Sequence, residues 1–131
     1  MGTVWTAGTQ SVSAAVDRLL SAIDVAEDAG DLDEVNRLEA HLWLDGPTGP
    51  EGRVGGEARA LFMEMNGRGL AAWDPGPEEP LPPVWDRLTD IEAPALVAVG
   101  DLDLPHIQAR SATVADRLPR GRLLVVRGVA H

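Results

Sequence analysis

Two short runs of aliphatic and β-branched residues, Ala95–Val99 and Leu123–Val126, constrain this chain's fold more than any other feature. Neither run alternates apolar with polar residues, so each reads as a strand buried on both faces. Between them Ile107, Val114, Ala115 and Leu118 recur at helical spacing over His106–Leu118, and Pro119-Arg-Gly121 ends that helix. A strand, a helix and a second strand at this separation form a crossover between parallel neighbours. Both runs lead into a glycine and then a polar group: Gly100-Asp-Leu-Asp103 after the first, Gly128-Val-Ala-His131 after the second. Ligands and chemistry gather at the carboxyl ends of strands in open α/β sheets. Asp103 and His131 both fall there.

An imidazole with a reference pKa near 6.5 can take a proton from a weak hydroxyl nucleophile and return it to a leaving group. A carboxylate beside it fixes the tautomer and stabilises the imidazolium that forms. Asp101 competes with Asp103 for the carboxylate role, but a residue directly after the strand's glycine is better placed to cap or bond the turn. Asp101, Asp103 and His106 can also be imagined as metal ligands; no second cluster supports them.

The two segments, Gly100-Asp-Leu-Asp103 and Gly128-Val-Ala-His131, resemble the C-terminal end of α/β-hydrolase-fold enzymes. The stretch from Ala29-Gly-Asp31-Leu-Asp-Glu34 to Leu42-Trp43-Leu-Asp45-Gly46-Pro47 looks like the helical cap of many such hydrolases. The resemblance implies an α/β fold in which a helical cap precedes the C-terminal strand–helix–strand portion of the hydrolase core. It divides the chain into a cap and linker over 1–83 and a core portion over 84–131. It further implies Asp103 as the triad acid, His131 as the triad base, and hydrolysis of an ester, lactone or related acyl bond in a small-molecule substrate. No metal or organic cofactor belongs to that chemistry.

The chain departs from the family where the nucleophile belongs. A G-x-S-x-G elbow is missing, since none of Ser11, Ser13, Ser21 and Ser111 lies between correctly spaced glycines. The glycine-containing oxyanion loop is missing too, and the sequence stops at His131, where the family continues into a final helix. These departures lead to the expectation of a partial chain, completed by an N-terminal polypeptide or prone to self-association. The alternative is a non-catalytic remnant or partner module that keeps the acid and base without a reaction of its own.

Upstream, Met1–Gln10 reads as a lead-in loop. Val12, Val16, Leu19, Leu20, Ile23 and Ala26 then share a helical face, with Gly30 suited to end the helix. Asp31 with Glu34 forms a capping-box pattern for a second helix carrying Leu32, Val35, Leu38 and Leu42, which ends at Asp45-Gly46-Pro47. His41 in that helix reads as a surface or packing histidine. The loop from Asp45 to Gly56 holds five glycines and two prolines but no phosphate-binding spacing. A third helix places Ala58, Leu61, Phe62, Met65, Gly69 and Ala72 on one face. There Phe62, Met63 and Met65 either pack in the core or line an apolar acyl pocket. Five prolines between Asp74 and Pro83 make an irregular linker, and Pro83 opens a short helix toward Leu88.

Charge and composition exclude several classes. The net charge is −10 and all eleven basic residues are arginine, an acidic balance that argues against a nucleic-acid partner. With no cysteine, disulfides, thiolate metal sites and a cysteine nucleophile are excluded. The apolar runs are far shorter than the roughly 20 residues of a membrane span. Trp5, Trp43, Trp73 and Trp85 are too scattered to form a stacking platform. The N-terminus has no signal-peptide pattern, so the expected location is cytoplasmic.

Overall fold

The first helix begins earlier than its apolar face requires. In the computed structural model, which describes residues 7–72, 76–77, 79–80, 82 and 84–131, helix α1 runs Ala7–Asp28. The lead-in loop expected over Met1–Gln10 is therefore helical from Ala7, and its first six residues lie outside the described part. Adding a residue to a helix that has already nucleated costs little, so even Gly8 does not stop it. Ala15, Ile23 and Ala26 are buried and Val16, Leu19 and Ala22 pack beside them, whereas Leu20 is exposed. At 100° per residue Leu20 stands on the flank of the stripe, and the buried face is rotated toward Ala15 and Ala22. The side chain of Val12 lies outside the described part.

Gly30 takes φ +70°; its N–H donates to the Glu27 carbonyl at 2.9 Å and the Asp31 N–H to the Ala26 carbonyl at 3.0 Å, closing the helix in a Schellman motif. Asp31 caps α2, Leu32–Glu39, by accepting the Glu34 N–H at 3.1 Å. The capping box forms only by half. Glu34 cannot bond the Asp31 N–H, which Ala26 already occupies, and instead accepts from Arg37 at 2.7 and 2.5 Å. The Arg37 hydrogen bond, with its charge, holds the Glu34 carboxyl below its ordinary value.

After α2 the helix widens into a π-helical segment, Ala40–Asp45, instead of running on as α-helix. A π turn takes more than four residues and shifts the faces that follow. Here Leu42 and Asp45 both turn inward and become fully buried. Helix α3, Gly56–Leu70, then packs across α2 on a face other than the expected one. Leu61 and Met65 are 57% and 63% exposed, so Met65 lies neither in the core nor in an acyl pocket; Phe62 and Met63 are half-buried. The reason is polar. Buried Asn36 donates to the Met63 carbonyl at 2.9 Å and accepts from Asn66 at 3.0 Å, and Gly67 lets the two helices close over it. A buried amide left unpaired costs about 1–3 kcal/mol, and this face of α3 answers both the nitrogen and the oxygen of the Asn36 amide.

The expected linker Asp74–Pro83 lies partly outside the described residues; its described members carry no helix or strand. The short helix expected from Pro83, which is itself outside, is a 3₁₀ turn over Trp85–Asp90. Arg117 stacks over the Trp85 ring at 4.9 Å, fixing this turn to the next helix. Strand β1 (Ala95–Gly100), helix α4 (Pro105–Arg117) and strand β2 (Gly121–Val126) follow as the crossover anticipated. The strands are parallel, with Ala95 opposite Gly121 and Gly100 opposite Val126.

The fold is thus mixed α/β, with a two-stranded parallel sheet among the described residues. Its main apolar cluster joins Ile23, Ala26, Val35, Leu38 and Leu42 of the helical part to Leu104 at the head of α4. One core therefore spans both sides of the linker. Helix α4 packs on the face of Gly121, where Leu123 and Val125 still stay 43% and 48% exposed, and on the other face Leu96 and Leu124 are 64% and 47% exposed. The strands expected to be buried on both faces are fully buried on neither, because two strands and one helix are too few to cover them. Among the described residues no helix is long and apolar enough to cross a membrane.

Candidate functional site

Both strands end in turns that interlock. The ladder continues past β1 through the Asp101 N–H to the Val126 carbonyl, and the Leu102 N–H reaches the Val129 carbonyl, each at 3.0 Å. Gly100 is indispensable to this closeness: a Cβ there would lie 2.1 Å from the carbonyl oxygens of both Val129 and Ala130. Asp101 accepts the Gly128 N–H at 2.7 Å, so its carboxylate is engaged in the turn. Gly128 takes φ +71°, which turns the chain back toward β1 and carries His131 over the end of the sheet.

Asp103 and His131 meet there. His131 Nδ1 lies 2.9 Å from Asp103 Oδ2, and Asp103 Oδ1 accepts the Leu104 N–H at 2.7 Å. Asp103 is buried, whereas the His131 side chain is 56% exposed. An ionised carboxylate can only accept, so Nδ1 is the donor and the lone pair of the neutral ring lies on Nε2. A buried, doubly bonded acid therefore orients an exposed imidazole whose Nε2 has no hydrogen-bond partner among the described residues. That arrangement can accept a proton from a group brought to Nε2 and stabilise the resulting cation.

The helical part holds this pair from the other side. The His131 N–H donates to the Trp43 carbonyl at 2.9 Å, and the indole meets the imidazole edge-to-face with centroids 5.1 Å apart. Gly46, at φ +91°, packs against Leu102 and Ala130; a Cβ there would lie 2.9 Å from the Leu102 carbonyl oxygen. Arg53 joins the Asp45 carbonyl at 2.8 Å to the Gly128 carbonyl at 3.0 Å. The loop that presents Arg53 is organised by Asp45, whose side chain is fully buried. It accepts the Gly52 N–H at 2.8 Å, the Val54 N–H at 2.9 Å and the Arg59 guanidinium at 3.0 Å. Burial pushes the Asp45 carboxyl up, but the bonds from Val54, Gly52 and Arg59 outweigh it and hold the group below its ordinary value.

A cavity of about 360 Å³ opens beside the pair, lined by Ala98, Val99, Ile107, Val126 and Val129, with Ser111 on its wall. No hydrogen bond links Ser111 to His131 among the described residues, and the serine sits on α4 rather than on a strand-to-helix elbow. Phe62, Met63 and Met65 do not line it. No group of three His, Cys, Asp or Glu side chains among the described residues, His106 included, could hold a metal ion. His41 bonds the Gly49 carbonyl at 2.9 Å, a packing role within the helical part.

The expected residues Asp103 and His131 are thus adjacent in space. Trp43, Asp45, Arg53 and Arg59 belong to the same construction and were not singled out by their sequence context. An aspartate that begins a glycine-rich loop is the one available signal for Asp45. Comparison with protein-family models, curated proteins and solved structures finds no match to this chain.

Proposed function

We propose that this chain supplies the cap, the acid and the base of a serine-type hydrolase of α/β-hydrolase architecture, acting on an ester, lactone or related acyl bond. The observation that carries this is the 2.9 Å contact between Asp103 and His131 at the ends of adjacent parallel strands. In this reaction His131 Nε2 takes the proton of a hydroxyl nucleophile as it attacks the acyl carbon. Asp103 stabilises the imidazolium, and His131 then returns the proton to the leaving alcohol. The nucleophile and oxyanion donors come from a segment not contained in these 131 residues. The substrate is a small acyl compound; neither nucleic acid nor membrane has a part in the reaction.

Reconstitution tests this directly. The chain is co-expressed with the polypeptide encoded immediately upstream, which must carry a G-x-S-x-G elbow. The expected result is hydrolysis of short p-nitrophenyl esters that a serine-directed phosphonate blocks. If no such reading frame exists and no turnover appears, the hydrolase assignment fails. Alone, the chain is expected to hydrolyse p-nitrophenyl acetate no faster than a histidine-only background. Saturable, phosphonate-sensitive turnover by the isolated chain would show that it contains its own nucleophile.

Parallel strands are ordinarily buried on both faces, and here one face leaves Leu96 and Leu124 open. Without its complement, the chain should elute larger than its 13.9 kDa monomer. Leu96→Lys combined with Leu124→Lys should shift it toward the monomer mass in light scattering. A monodisperse native monomer with a sharp thermal transition would contradict this expectation.

A further inference from the structure

One hydrogen bond cannot aim a half-exposed imidazole. The χ2 torsion of histidine is broad, so the Asp103 contact alone leaves the ring able to hinge about it. Among the described residues one further hydrogen bond and one ring contact reach His131, and both come from Trp43: its carbonyl takes the His131 N–H at 2.9 Å, and its indole stands T-shaped to the imidazole at 62°. We propose that Trp43 is the positioning residue for His131, holding the imidazole in the rotamer that keeps Nδ1 on Asp103 and presents Nε2 as a base.

Trp43 is suited to this because it is itself anchored. It packs against the apolar cluster that includes Leu38 and Leu42, so its ring cannot simply follow the imidazole. The π-helical segment Ala40–Asp45 gives that anchoring its direction. The wider turn buries Leu42 on one side while the Trp43 carbonyl and ring face the turn carrying His131, and π segments recur where such a shift serves a site. The helical part therefore orients the base from outside the sheet. The meaning of this role for catalysis rests on the proposed hydrolase reaction; the positioning itself does not.

The test uses the chain as it is, labelled with ¹⁵N-histidine, with His131→Gln identifying the resonances. In the unaltered protein His131 should occupy one side-chain rotamer, show cross-relaxation with the Trp43 ring, and carry a slowly exchanging Nδ1–H. Trp43→Phe keeps an aromatic ring and should retain that signal. Trp43→Leu fills the core side but offers no ring, and should show several His131 rotamers and a fast-exchanging Nδ1–H while remaining helical by circular dichroism. Val35→Ala opens a cavity in the same core away from the imidazole and should retain the signal, which separates positioning from general loosening. Rotamer averaging of His131 in the unaltered protein overturns the proposal whatever the variants do. So does a single His131 rotamer with a protected Nδ1–H in folded Trp43→Leu, or equal loss in Val35→Ala. No arm involves turnover, so a failed reconstitution would remove the hydrolase reaction and leave this result standing.

Discussion

In the reconstituted enzyme, Asp103→Asn and His131→Ala should each lower kcat by roughly 10⁴-fold or more. The reasons differ. His131→Ala removes the only group placed to accept the nucleophile's proton, so attack falls back on an un-ionised hydroxyl. Asp103→Asn keeps the shape but replaces an acceptor with an amide that can donate toward Nδ1. The ring is then driven to the tautomer with its proton on Nε2, where the lone pair is needed. The two losses should not add in the double variant, because the groups act as one unit. Asp101→Asn should cost far less, since that carboxylate bonds the Gly128 N–H and is separated from the imidazole by the turn. Steady-state rates on a p-nitrophenyl ester decide it. An Asp101 change more damaging than the Asp103 change would reverse the assignment of the acid.

The second large effect falls on stability. Asp45 is a fully buried carboxylate answered by two backbone N–H groups and Arg59. Asp45→Ala leaves the two N–H groups unpaired and Arg59 with only the Val54 carbonyl, and breaking one side of a buried pair typically costs about 3–5 kcal/mol. Urea denaturation should show a loss of this size, with hydrogen-exchange protection lost first at Gly52 and Val54. A loss under about 1 kcal/mol, within reach of an ordinary surface change, would contradict it. Glu34→Gln is the contrast. It breaks an ion pair whose side chains are 39% and 42% exposed, where water screens the charges, and should have much the smaller effect.

The pH dependence follows from the same group. The Asp45 carboxyl is held below its ordinary 3.8 in the folded chain, so the unfolded chain binds the proton more readily. Its contribution is fully present above pH 3.8 and is lost as pH falls through the lower folded value. Asp45→Ala should therefore flatten the acid limb of the stability curve.

The strand–helix–strand unit was legible in the residues because its signals are local. Two unbroken aliphatic runs and one helical period leave few alternatives, and glycines mark where each strand must stop. The pairing of Asp103 with His131 was legible for the same reason, since parallel neighbours bring their carboxyl ends side by side. The Asp31 cap and the Gly30 terminus were equally local. What the tertiary structure decided was how the helices turn about their own axes. The apolar face of α3 pointed to Leu61 and Met65, yet the buried amide of Asn36 draws Met63, Asn66 and Gly67 inward instead. Hydrophobic periodicity has no term for a polar group that must be satisfied at a distance. The π turn at Ala40–Asp45 is likewise invisible in spacing, because it answers to contacts made across the molecule: Asp45 with Arg59, and Trp43 with His131. The sequence by itself determined the crossover and the two residues at its strand ends. Only the packed chain determined that the helical part holds the His131 imidazole, because that contact joins residues far apart in sequence.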